Sequence, residues 1–151
     1  MNAAEREQTN DETTWAMWAH LGILSGYVVP FGHLILPFLV GVLNKSGYVR
    51  HHAREAFNFQ LTVTLVILMS GGAWLSVAES VLGFRMGDPP GSVAGYAWVT
   101  GGVAGGILLV LQPLVWVVDG AKRARSGVWY RYPLSMRLWK GSECPERANE
   151  D

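Results

Sequence analysis

Few side chains in this sequence are able to do chemistry, and most of those sit in uncharged surroundings. The stretch HHARE places His52 and Glu55 three residues apart, which puts both on one helix face where an imidazole and a carboxylate can share a divalent metal. No thiol set or second carboxylate accompanies them, so a hydrogen-bonded histidine at a helix start is the favoured reading, and neither a metal nor a cofactor is expected. His20, Asn58, Gln60 and Gln112 fall at similar depths if the apolar tracts are stacked as helices. They form a candidate intramembrane polar site, either a vestibule for a substrate or, as favoured here, a set of interhelical hydrogen bonds worth about 0.6 kcal/mol each. His33 and Glu79 form a second candidate pair at the opposite depth, able in principle to relay a proton. Glu79 is close enough to the end of its tract to reach the surface or to face Arg85, and that reading is preferred. No phosphate-binding glycine loop and no Ser/His/Asp or Cys/His arrangement occurs, so enzyme chemistry is not expected.

The elements that must position these groups follow from charge spacing. Half of the 151 residues are hydrophobic and 16% are charged, with twelve cations against twelve acids. This balance excludes a basic nucleic-acid binder and a disordered acidic chain. Thirty-two residues between Glu12 and Lys45, and thirty between Asp88 and Asp119, contain no Asp, Glu, Lys or Arg. The tract 56–84 contains Glu79 alone. Each exceeds the roughly 20 apolar residues that cross a hydrocarbon core, and none shows the polar face of a soluble helix. The acidic start lacks the pattern of a cleavable signal, so the N-terminus is expected on the mature protein.

Pro30, Gly32 and Pro37 break the first tract. It reads as helix 13–29, a tight turn, and helix 33–43, the second too short for a comfortable crossing, so a thin or partly re-entrant hairpin is expected. The expected fold is all-α: a polytopic integral membrane four-helix bundle with a short Pro/Gly-broken N-terminal helical hairpin. An acidic tail at 1–12 and a polar tail at 141–151 flank one domain at 13–140. Cations concentrate in the 44–56 loop and after residue 121, which places both termini inside a bacterial inner membrane. Three crossings with the N-terminus outside fit the cation count equally well, and the Pro/Gly break favours four.

Two surfaces suggest partners. Gly101 with Gly105, Gly102 with Gly106, and Gly95 beyond them line a small-residue helix face suited to close packing within the bundle or against another membrane protein or a second copy. Lys122, Arg123, Arg125, Arg131 and Arg137, interleaved with Trp129 and other aromatic residues, suit anionic lipid headgroups at the inner interface.

Three ordered motifs, WAMWAHLGILSGYVVPFGHLILP, HAREAFNFQLT and YRYPLSMRLW, resemble the uncharacterised bacterial family related to the Tic-type subunit of the chloroplast inner-envelope translocon. The resemblance implies a four-helix membrane protein without transferable catalytic residues. The implied role is an accessory or scaffold subunit that binds another membrane protein, with protein translocation as the process the resemblance suggests. The alternative from the residues themselves is a small transporter or channel using the intramembrane His, Glu and Gln positions.

Overall fold

The computed structural model describes residues 8–82 and 93–141, except for some side chains of the two long helices, those at positions 79, 95, 106 and 112 among them. Helix α1, Asn10–Leu21, begins in a capping box: the Thr9 backbone N–H donates to Glu12 Oε2 at 2.9 Å and the Glu12 N–H donates to Thr9 Oγ1 at 3.2 Å. From Gly22 the helix tightens into a 3₁₀ segment, Gly22–Tyr27, instead of running on as α-helix to residue 29. Phe31, at φ 59°, then reverses the chain into α2, Gly32–Leu43. Packing explains the glycines here. A Cβ on Gly22 would lie 3.1 Å from the Pro37 ring, and one on Gly26 would lie 2.9 Å from His33 Nδ1, so the two arms close only because those side chains are missing.

Helix α3 spans Gly47–Leu82 and α4 spans Val93–Arg125. The expected loop at 44–56 is therefore three residues, 44 to 46, and α3 starts nine residues before the uncharged tract does. The reason is packing. Tyr48, Val49, His52, Ala53 and Ala56 recur at helical spacing and are buried, while Ser46 donates to Glu12 Oε1 at 2.6 Å and ties the helix start to α1. Helix α4 likewise continues past Asp119 to Arg125. After it the chain runs without regular structure to Gly141 as a strap.

The chain divides into two compact units, residues 1–62 with 115–151, and residues 63–114. The first has its core where alanines let helices approach: Ala19 with Val40, Val49 and Ala53, and Ala16 with Tyr48 and Ala124, the latter covered by Trp129. The second comprises the remaining lengths of α3 and α4. Val66, Ile67, Leu68 and Met69 are consecutive and all exposed there, so apolar side chains point outward around the full turn of the helix. Five helical elements and no strand occur among the described residues. The membrane spans expected from the uncharged tracts are not found among the described residues: no helix among them is long and apolar enough to cross a membrane.

Candidate functional site

Helix α3 carries a polar stripe: His51, Glu55, Asn58 and Thr62, spaced by four, three and four residues and so aligned on one face. That face holds the strap by its backbone. His51 Nε2 lies 3.0 Å from the Tyr130 carbonyl, and the Tyr132 N–H donates to Glu55 Oε2 at 3.3 Å. The Met136 N–H donates to Thr62 Oγ1 at 2.9 Å. Asn58 makes a closed pair, its Nδ2 donating to the Trp139 carbonyl at 3.0 Å and its Oδ1 accepting the Trp139 N–H at 2.9 Å. Four helical side chains thus supply the partners that a neighbouring strand would give an extended segment.

Behind the stripe, Tyr132 OH lies 2.8 Å from His20 Nδ1, and His20 Nε2 lies 2.9 Å from His52 Nδ1. All three residues are buried. One proton order consistent with both contacts has the tyrosine donating to His20 and His20 donating to His52, with the outer nitrogen of His52 buried and outside hydrogen-bonding distance of a partner. This chain of contacts joins α1, α3 and the strap at one point. Tyr48 donates to the Ala124 carbonyl at 2.7 Å and packs edge-on to His52 and Trp129, and Phe59 stacks on Tyr132 with ring centroids 4.0 Å apart. Gly120 leaves room for the arrangement, since a Cβ there would meet Tyr132 OH at 2.8 Å and His20 Nδ1 at 3.1 Å.

Burial decides the charge state around this clamp. It pushes His51 down to about 4, with Arg131 and Arg54 opposing its cation and the Tyr130 carbonyl partly favouring it. His52 is held well below the usual histidine range by burial, then by His20 and His51. Burial raises Glu55, against which the Tyr132 N–H and nearby arginines act. Tyr132 and Tyr130 are raised, again mainly by burial. The histidines of the clamp are therefore neutral hydrogen-bonding groups near neutral pH.

His20, Asn58 and Gln60 are all buried in the first unit, but His20 and Asn58 serve different partners: His20 bonds Tyr132 and His52, while Asn58 holds Trp139. His33 sits over Gly26. The side chains of Gln112 and Glu79 lie outside the described residues, as do Gly95 and Gly106 of the glycine face. On that face Gly102 is exposed, and a Cβ on Gly105 would meet nothing within 4 Å. His52 and Glu55 share a helix face as their spacing requires, yet His52 turns to His20 and Glu55 to the strap; no group of three metal-ligating side chains occurs among the described residues.

Lys122, Arg123, Arg125, Arg131 and Arg137 are exposed. Two of them also have internal work: Arg123 pairs with Asp119 at 3.0 Å, and Arg125 Nη1 donates to Thr13 Oγ1 at 2.8 Å, Thr14 Oγ1 at 3.1 Å and the Asn10 carbonyl at 3.3 Å. Trp129 is half-buried against Tyr48 and His51. The polar residues that reading by depth overlooked are His51, Thr62 and Tyr48. The spacing of the stripe was a usable signal for the first two; the segment it binds, about 80 residues later, was not.

Residues 11–139 match the model of the magnetosome magnetite crystal formation protein family. No curated protein and no solved structure matches the chain. The family match overturns the Tic-type resemblance and the role in protein translocation drawn from it. The motifs behind that resemblance contain His20, His52, Glu55, Asn58, Tyr130 and Tyr132, which build the clamp, so they record how the chain holds together and not a translocation activity.

Proposed function

The chain belongs to the magnetosome magnetite crystal formation protein family, and from that premise we propose that it is a membrane-embedded accessory protein of crystal formation, acting by binding and holding other components and not by catalysis. One observation carries this reading: the groups with chemical potential in the first unit are engaged in the fold. His20, His51, His52, Glu55, Asn58 and Tyr132 each bond to one another or to the strap backbone. Among the described residues, much of what faces outward is of another kind, namely apolar side chains and cations. Leu68, Met69, Val99, Val103 and Leu111 are exposed along the two long helices, matching the hydrocarbon that the uncharged tracts call for. Lys122, Arg131, Arg137 and Lys140 are exposed in the first unit, where each contributes about 1 kcal/mol toward an anionic headgroup surface. The open surface at Gly102 and Gly105 is suited to a second membrane helix.

The test is purification of the tagged chain in mild detergent from its native membrane, with the mass of the intact assembly and the identity of whatever stays bound. A stoichiometric partner, lost when Gly105 is replaced by Leu, is the expected result. A monomer with no retained protein, in a preparation whose clamp is intact by hydrogen exchange, overturns the holding role.

A further inference from the structure

The hairpin formed by the 3₁₀ segment and α2 ends in five consecutive residues, Tyr27, Val28, Val29, Pro30 and Phe31, four of them apolar. Exposure reaches 70% at Tyr27, 84% at Val28 and 65% at Phe31. Water is a poor solvent for such a tip, and most of the N–H groups in and around it are paired within the hairpin. The N–H groups of Val28 and Val29 donate to the Ser25 carbonyl at 3.1 and 2.9 Å, Gly32 donates to Val29 at 2.8 Å, and Leu34 and Ile35 donate to Phe31 at 2.9 and 3.0 Å. Pro30 has no N–H. Phe31 adopts a left-handed conformation to close this turn, which costs a non-glycine residue about 1 kcal/mol. Internal satisfaction of the backbone is the requirement for entering hydrocarbon.

The open end of the hairpin has the opposite character. A Cβ on Gly41 would meet Trp139 at 2.7 Å, the Trp139 ring stands 5.3 Å from Phe38, and the Arg54 guanidinium lies 5.6 Å from the Trp139 ring centre. Tryptophan and arginine together mark a headgroup level. Ten residues of α2 separate Gly41 from Phe31, about 15 Å at 1.5 Å per residue, which is half of a hydrocarbon core about 30 Å thick.

We infer that this hairpin is re-entrant: its apolar tip, 27–31, inserts into the acyl chains of the leaflet on the side of the clamp and stops near the bilayer midplane. This rests on the membrane reading above and specifies how one element meets the lipid. Both arms of the hairpin then return to the same face, in keeping with the exposed cation Lys45 just past α2 and with Arg50 and Arg54 beyond it.

The test uses the full chain with its lone cysteine removed, Cys144→Ala, and single cysteines introduced at Val28, at Val29 as a second tip position, and at Lys45 as a reference. Membrane-impermeant maleimide is applied to sealed vesicles of either orientation, and a bimane label at each site is quenched with lipids spin-labelled at the headgroup or along the acyl chain. The expected result is that Lys45→Cys reacts from one face only, that both tip cysteines react from neither, and that acyl-chain spin labels quench the tip at least twofold more than headgroup labels. Reaction of the tip from the face opposite Lys45 overturns the inference by making the hairpin a crossing. Reaction from the same face overturns it by leaving the tip in water, and a tip shielded but unquenched is covered by protein and not by lipid. Release of the whole chain by alkaline carbonate overturns the membrane reading itself and is distinguished from the other outcomes by the loss of Lys45→Cys from the vesicles.

Discussion

Asn58 holds one residue of the strap by both its peptide N–H and its carbonyl, and its removal has a calculable cost. Asn58→Ala deletes both hydrogen bonds to Trp139, the one it donates at 3.0 Å and the one it accepts at 2.9 Å. Each bond is worth about 1 kcal/mol net, and a backbone group left without a partner in a partly buried place costs about 1–3 kcal/mol. Water reaches part of this site, so the lower half of that range applies and the total is about 2–4 kcal/mol. At about 1.4 kcal/mol per factor of ten, the population of strap-open molecules rises between roughly 30-fold and several hundredfold. Hydrogen exchange read by mass spectrometry on the detergent-solubilised chain reports this directly. Peptides covering Met136 and Trp139 should exchange faster by that factor while those covering α1 keep their protection. Asn58→Asp retains the acceptor for the Trp139 N–H and loses the donor, so it should fall between the two. Unchanged exchange at Met136 and Trp139 in Asn58→Ala would refute the claim that the stripe on α3 holds the strap.

Acid should loosen the same region. His51 is pushed down to about 4 in the folded chain from an ordinary 6.5, so between those values the unfolded chain takes up a proton that the folded chain excludes. Stability from this group is complete above pH 6.5 and is lost as the pH falls toward 4, by at most about 3 kcal/mol. His52, lowered by the same burial, adds in the same direction. Thermal melting by circular dichroism from pH 7 to pH 4 should show the decline, and His51→Gln should flatten it. Two glycines separate packing from mere composition. Gly120→Val places methyl groups against Tyr132 and His20 and should cost about 1–3 kcal/mol in a denaturant titration, whereas Gly105→Leu meets open space and should leave the isolated chain's stability within about 0.5 kcal/mol.

Charge spacing and backbone chemistry made much of the architecture legible. The uncharged tracts announced the helices, Pro30 and Gly32 marked the reversal, and the short second arm of 33–43 was found at Gly32–Leu43. These are local properties: a proline removes a donor wherever it stands, and an uncharged run is apolar in any fold. The start of α3 was not legible in the same way. Gly47–Ala56 is rich in charge and histidine, and it reads as a loop until α1, α4 and the strap bury one side of it.

The candidate site shows the same division. Sequence alone determined which residues were unusual, since His20, His52, Glu55 and Asn58 stand out as polar groups in an apolar chain. Depth along a helix then suggested that His20, Asn58, Gln60 and Gln112 meet, and depth is only one coordinate of three. Tertiary structure decided the partners, because the strap returns after about 70 to 80 residues and offers peptide groups that have no strand to bond with. A buried peptide N–H or carbonyl must find a partner, and the nearest ones were these side chains. That requirement, absent from any local pattern, is what turned candidate chemistry into a structural clamp.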